Sequence, residues 1–329
     1  MKQTYGWMAA AALAVAIAAT MPVSAQQAPA PAQAPPMAAG GPPTRQGGSG
    51  PIRVLFVSKG HDHDREGLMK MLDRLGNTIT WTHVEHPAAT AFYDPANAKD
   101  YDVYLFYDAP GRGQPTPQAN GQTGWPDPGY EAKKNFAALT QSGKVGLVYL
   151  HHSPATFNHT WPEYGEMIGM ACDWGSEVTF KGKKYPNSGA RGGTKQHITV
   201  LEPTHPVVQG LGDGFDIVDE TYLCPVDEKS VHPLLKTDFA NIDKNYERRY
   251  ETGWRYPGVG SSLAGWYRAV GKTPLVYLQN GHDNVAWSNP AYETLVTNAI
   301  KWVVSPEGKA WAAKNGKPMG VPKAPKTSN

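Results

Sequence analysis

The chemistry-bearing residues of this chain gather in short polar runs, and several of these runs directly follow an apolar one. Ile52 to Ser58 runs into Lys59-Gly60-His61-Asp62-His63-Asp64, Tyr101 to Tyr107 ends at Asp108, and Val145 to Leu150 ends at His151-His152-Ser153. Further on stand Thr204-His205-Pro206, Asp219-Glu220-Thr221-Tyr222 and Gln279-Asn280-Gly281-His282-Asp283. Imidazole changes charge near neutral pH, which suits it to moving protons to and from a hydroxyl or an enolisable ketone. His151 is the candidate general acid or base, Glu220 the group that orients it or shares its proton, and His282 the third catalytic candidate. His61, His63, Asp108 and His152 are candidates to bind substrate. Trp161 and Tyr164, a short way after His151, could stack on a ring, although aromatic residues serve equally well as core.

Two other chemistries use the same residues. His61, His63, His151 and His152, with a carboxylate from Asp62, Asp108 or Glu220, offer ligands enough for zinc. Their spacing is not diagnostic, and the expectation is that no cofactor is needed, with a metal as the competing reading. Ser153 could act as a nucleophile with His151 or His152 as base and Glu220 as orienter. It lies two residues past the turn, however, and no Gly-x-Ser-x-Gly sequence frames it.

The elements that must position these residues follow from periodicity. Ile52–Ser58 reads as a strand, Asp64–Leu75 as a helix with Leu68, Met71, Leu72 and Leu75 on one face, and Thr78–His86 and Tyr101–Tyr107 as strands. A Gly/Pro/Gln loop over 109–128 is long enough for a functional role. Tyr130–Gln141 reads as a helix and Val145–Leu150 as a central strand, apolar throughout. Later candidates are a short helix over Trp161–Met170 and strands over Glu177–Phe180, His197–Leu201, Ser261–Tyr267 and Pro274–Leu278. A last helix is capped by Asn289, with Pro290 in its first turn and Tyr292, Leu295, Val296, Ala299, Ile300 and Val303 on one face. Lys181-Gly182-Lys183-Lys184 reads as a turn between strands, and Arg248-Arg249 as a solvated face or an anion contact. Alternating strands and helices predict a doubly wound, mostly parallel α/β sheet, in which ligands bind beyond the carboxyl ends of the strands.

Four segments are expected. Residues 1–25 read as a secretory signal peptide, with Lys2 before an apolar run and Val23-Ser24-Ala25 as the cleavage site. An uncleaved anchor is the alternative. Residues 26–50, rich in Pro, Ala, Gly and Gln, read as a flexible linker, 51–305 as the folded domain and 306–329 as a flexible tail. The leader predicts a secreted or periplasmic protein with no stable membrane insertion after cleavage. A net charge of +2 with both signs interspersed excludes a nucleic-acid-binding stripe. Cys172 and Cys224 could pair in an oxidising compartment or be buried separately as thiols. The oligomeric state is left open.

The ordered series of motifs resembles the ThuA-like, or trehalose utilisation, family over residues 52–303. The resemblance rests on Gly60-His61-x-His63, Tyr101-Asp102-Val103, Leu150-His151, His205-Pro206 before Val208-x-Gly210-Leu211, Asp219-Glu220 with Tyr222, and Gly281-His282 before Trp287. It implies the three-layer, flavodoxin-like fold of class I glutamine amidotransferases. It also implies carbohydrate metabolism, with a di- or oligosaccharide or a keto sugar as the small-molecule partner. Amidotransferases carry a cysteine nucleophile on the turn where this chain has His151, so glutamine hydrolysis is not expected. A non-catalytic carbohydrate-binding module and a metal-dependent hydrolase are the alternative functions.

Overall fold

A computed structural model describes residues 45–112, 115–117, 122–321 and 324. The expected signal peptide and nearly all of the linker lie outside these residues. The strands are β1 (Gln46–Gly48), β2 (Ile52–Lys59), β3 (Ile79–Glu85), β4 (Val103–Asp108), β5 (Thr116–Pro117), β6 (Thr123–Gly124), β7 (Gly146–Leu150), β8 (Val178–Phe180), β9 (Lys183–Tyr185), β10 (Gly189–Val200), β11 (Gly214–Leu223), β12 (His232–Thr237), β13 (Leu263–Val270) and β14 (Thr273–Leu278). The helices are α1 (Arg65–Arg74), α2 (Tyr130–Ser142), α3 (Pro162–Ile168), α4 (Glu247–Glu251), α5 (Asn284–Trp287), α6 (Pro290–Val304) and α7 (Pro306–Asn315). One large sheet runs in the order β1-β3-β2-β4-β7-β14-β13-β12-β10-β11. From β3 to β14 it is parallel, and the pairs beyond are antiparallel.

The period-two alternation of the central strands builds three layers. Val54, Phe56, Leu105, Tyr107, Val148, Leu150, Val276 and Leu278 pack with Leu68, Met71 and Leu72 of α1 and Leu295, Val296, Ile300 and Val303 of α6. Their sequence neighbours Leu55, Val57, Tyr104, Phe106, Leu147, Tyr149, Leu275 and Tyr277 face the other way, onto Phe136 and Leu139 of α2 and Tyr164 and Ile168 of α3. Strands buried on both faces read as continuous apolar runs, which is why the sequence marks them so clearly. The last long helix forms as expected: the Asn289 side chain accepts from the Ala291 amide at 2.9 Å and Pro290 opens the first turn.

Four features differ from, or add to, the sequence expectations. The linker ends earlier than Gly50, because Gln46–Gly48 pairs antiparallel with Thr80–Thr82 of β3. Glycine makes this possible: a Cβ on Gly47 would lie 2.7 Å from the Trp81 ring, so only a bare backbone can cover that indole. The tail begins as a helix, α7. Ser305 caps it by accepting from the Gly308 amide at 3.0 Å, and Trp311 packs on Tyr267 with ring centroids 4.8 Å apart. The Lys/Pro/Gly composition hid a Ser-Pro-Glu start signal and one anchoring indole. Cys172 and Cys224 form a disulfide, with Cα atoms 5.3 Å apart, closing a separation of 52 residues. Finally, β10 and β11 make one long bent hairpin. Only Ile198–Val200 of β10 pair with β12, so the far half of the hairpin extends beyond the sheet and carries Asp219, Glu220 and Tyr222 back over the strand ends.

Candidate active site

His151 occupies the turn after β7 with a left-handed backbone, φ 51°. Its amide donates to the Leu278 carbonyl at 2.7 Å, and its own carbonyl accepts from the Tyr277 hydroxyl at 2.9 Å. The side chain is completely buried. Its Nδ1 lies 2.8 Å from the Gln279 carbonyl. A carbonyl only accepts, so Nδ1 carries the proton and Nε2 of the neutral ring is left with its lone pair. Three groups surround Nε2: the Tyr222 hydroxyl at 2.5 Å and His282 Nδ1 at 3.1 Å are placed to donate to it, and Glu220 Oε2 at 3.3 Å accepts from it once it is protonated. Glu220 Oε2 is also 3.3 Å from His282 Nδ1.

His282 is delivered by the turn after β14. Both Asp219 carboxylate oxygens accept backbone protons there, from Gly281 at 2.6 Å and from His282 at 3.1 Å. The Tyr107 hydroxyl donates to the His282 carbonyl at 3.1 Å. Gly281 has φ 119°, and a Cβ on it would meet the Tyr292 hydroxyl at 2.2 Å. A side chain there would push His282 out of place.

The hydrogen bond to Glu220 raises the His282 pKa, burial lowers it by less, and the negative charge of Glu220 adds to the rise. Burial pushes the Glu220 carboxyl up, but hydrogen bonding and charge from His151, when its ring is protonated, and from His282 outweigh it and hold the carboxyl well below its usual range. The His282 share of this pairing is fully present below its ordinary value of 6.5 and is lost as pH rises through the folded pKa. The Glu220 share is present above 4.5 and is lost as pH falls through its folded pKa. Both are complete between pH 4.5 and 6.5. Glu220→Gln removes the charge, and we expect the His282 ring to titrate lower than in the wild type when followed by histidine NMR from pH 5 to 9. An unchanged titration would mean that the pair does not form in solution. Burial, then the charge of Glu220, pushes the Tyr222 phenol well above its usual range, so it stays a donor.

A cavity of about 260 Å³ opens beside this centre, walled by Glu220, Tyr222, His61, Arg112, Trp174 and Arg249. It lies just below the roughly 300 Å³ at which ligand pockets usually begin.

The family model described as ThuA, trehalose utilisation, matches residues 53–303. The chain belongs to the ThuA family. Its structure is similar to that of a ThuA-like protein from Parabacteroides merdae, with TM-score 0.55, 16% identity, and coverage of 78% of this chain and 90% of that one. It is also similar to a protein from Salmonella typhimurium described as cytoplasmic, with TM-score 0.48, 12% identity, and coverage of 77% and 99%. No curated protein matches the chain.

The ThuA domain brings His151, Glu220 and His282 into direct contact. His61 lines the cavity and stacks on His152 with centroids 4.8 Å apart. Burial, then the charge of Arg112, holds its pKa down to about 4. His152 is buried behind His61, and burial, then the charges of His151 and His61, pushes its pKa well below the usual range. His63 packs its ring on Tyr107 at 5.1 Å, and its Nδ1 meets the His61 carbonyl at 3.1 Å, a supporting position outside the cavity wall.

Three further expected binders do not line the cavity either. Asp108 is fully buried beneath the site, with His86 Nε2 at 2.8 Å from its Oδ2, and burial raises its pKa against that hydrogen bond. Trp161 and Tyr164 are completely buried among Phe136, Phe157 and Tyr149 on the α2/α3 face, so neither can stack on a ligand. The indole and phenol next to His151 in sequence were drawn into the core because α3 packs there. The Ser153 reading also fails: its buried hydroxyl donates to the Phe106 carbonyl at 3.1 Å and accepts from the Asp108 amide at 3.3 Å. Both cysteines are in the disulfide, so neither offers a thiolate for amidotransferase chemistry.

Sequence reasoning did not place Tyr222, Arg112, Trp174 or Arg249 in the site. Tyr222 had a usable signal, because positions two apart on a strand share a face and Glu220 was already a candidate. The other three come from separate loops and the short α4, and no spacing links them.

His151, Glu220 and His282 also form the group best suited to a metal ion among the described residues. Their donor atoms are 3.1, 3.3 and 3.3 Å apart. A tetrahedral ion with bonds of about 2.0–2.1 Å spaces its donors by about 3.3 Å. The metal set expected from sequence, built on His61, His63, His151 and His152, does not assemble: His63 turns to Tyr107, and His152 Nδ1 meets the Asp108 carbonyl at 3.3 Å.

Proposed function

We propose that this ThuA-family protein is an exported enzyme of carbohydrate metabolism that carries out histidine acid–base chemistry on a di- or oligosaccharide or a keto sugar. The observation that carries this reading is the state of His151: Nδ1–H is fixed on the Gln279 carbonyl while Nε2 faces His282 and the two cavity-wall residues Tyr222 and Glu220. Nε2 takes a proton from a sugar hydroxyl, or from the carbon beside a keto group. Glu220 stabilises the imidazolium so formed, and the proton returns to the departing or newly formed oxygen. The family description, trehalose utilisation, supports a saccharide substrate. The leader sequence supports export, as does the disulfide, since such bonds persist in oxidising compartments. No helix among the described residues is long and apolar enough to cross a membrane. The test is incubation with a panel of disaccharides and their keto forms, followed by mass spectrometry. Conversion supports the reading; saturable binding without conversion of any member makes the protein a carbohydrate-recognition module.

The spacing of the three donors favours a second reading, a divalent ion held by His151, Glu220 and His282. The His151 Nδ1–H on a backbone carbonyl is the outer contact that metal-bound imidazoles usually have. Against it, the Tyr222 hydroxyl at 2.5 Å occupies the Nε2 lone pair that an ion would need, whereas a proton from the cavity can reach Nε2 through that hydroxyl. The acid–base reading therefore predicts less than 0.1 equivalent of zinc, manganese or iron, as an order-of-magnitude bound, in protein purified without chelator and assayed by elemental analysis. About one equivalent, lost in His282→Ala, would establish the metal centre instead.

A further inference from the structure

Two guanidinium groups face the cavity with no carboxylate partner among the described residues. Arg112 lies over the Trp174 ring, Cζ 5.6 Å from its centroid. Arg249 spends one Nη2 bond on the Trp174 carbonyl at 2.7 Å, and its Cζ sits 5.5 Å from the Trp254 ring. Four other arginines show the contrast: Arg45, Arg53, Arg65 and Arg74 each pair with a carboxylate at 3.5 Å or less. The one carboxylate on the cavity wall, Glu220, is already committed to His151 and His282. Burial alone lowers the Arg249 pKa, with no opposing acid. The wall beside this centre thus carries uncompensated positive charge on two planar forks.

We infer that the cavity takes an anionic saccharide, with Arg112 and Arg249 holding its oxyanion beside His151. This rests on the acid–base reading for the reaction but not for the binding. A neutral sugar filling the cavity would strip water from both guanidiniums and return no charge, an unfavourable exchange. A sugar oxyanion returns charge-assisted hydrogen bonds in the fork geometry that arginine favours. A carboxylate, as in a uronic acid, and a phosphate ester supply the same chemistry.

The experiment is isothermal titration of the full chain with D-glucuronate, D-glucose 6-phosphate and D-glucose at one fixed ionic strength. We expect at least one of the two anions to bind about tenfold or more tighter than glucose, and Arg112→Gln and Arg249→Gln each to lose about tenfold or more of that affinity. The tighter of the two anions identifies the source of the oxyanion. Both variants must keep the wild-type melting temperature, and Arg53→Gln, remote from the cavity, serves as the charge control. His151→Asn should still bind the anion while losing turnover. Anion binding with no turnover in the wild type would defeat the acid–base reading and leave this inference standing. Glucose binding as tightly as both anions, or equal loss of affinity in Arg53→Gln, would overturn the inference alone.

Discussion

Replacing His151 by Asn is expected to lower turnover on a converted saccharide by about 10²- to 10⁴-fold, the usual worth of a positioned general acid or base, with KM changed by only a small factor. Asn is chosen for the backbone. His151 sits at φ 51°, where most side chains are strained and Asn is among the best tolerated. Its amide nitrogen can also reach toward the Gln279 carbonyl that now receives Nδ1–H. The variant therefore removes the titrating nitrogen with least disturbance of the turn. An equal fall in kcat and kcat/KM with an unchanged melting temperature would place the proton transfer at this residue. Wild-type turnover by the variant would move the chemistry to another group, with His61 the imidazole that lines the cavity.

The second large effect is on stability. Cys172→Ala with Cys224→Ala is expected to destabilise the protein by about 4 kcal/mol, because the cross-link closes a span of 52 residues in the unfolded chain. At about 2–4 °C per kcal/mol for a domain of this size, the melting temperature should fall by roughly 10 °C in calorimetry. Alanine keeps the buried positions apolar. Adding reductant to the wild type should reproduce the drop, and a variant that melts with the wild type would mean that the cross-link contributes nothing. Activity should fall with it near the new transition. Cys224 directly follows β11, and that strand carries Glu220 and Tyr222 over the end of the sheet, where β12 no longer pairs with its partner. The disulfide ties the overhanging hairpin to the segment after α3.

The elements that carry the sheet were legible because their burial is one-dimensional. A parallel strand covered on both faces must be apolar along its length, so Val54–Val57, Val103–Tyr107 and Leu147–Leu150 announced themselves, and α6 announced its single face and its Asn289 cap. The position of His151, at the carboxyl end of a central strand, followed from the same reading. Elements held by contacts distant in sequence were not legible. β1 depends on Gly47 lying over Trp81, and α7 on Trp311 reaching Tyr267. Polar composition made both look like loose chain.

The site divides along the same line. The amino-acid sequence alone determined the three-layer α/β class and the family, and it named His151, Glu220 and His282 as candidates, because residue type and apolar runs follow from local pattern. Only the tertiary structure decided which side chains share the cavity. Burial withdrew Trp161, Tyr164 and Asp108, since packing of α3 and a hydrogen bond from His86 claim them. The bend of the β10/β11 hairpin brought Tyr222 to within 2.5 Å of His151 Nε2, and two unrelated loops and α4 supplied Arg112, Trp174 and Arg249. Those meetings depend on where a hairpin overhangs and where loops fold back, and no period along the chain encodes either.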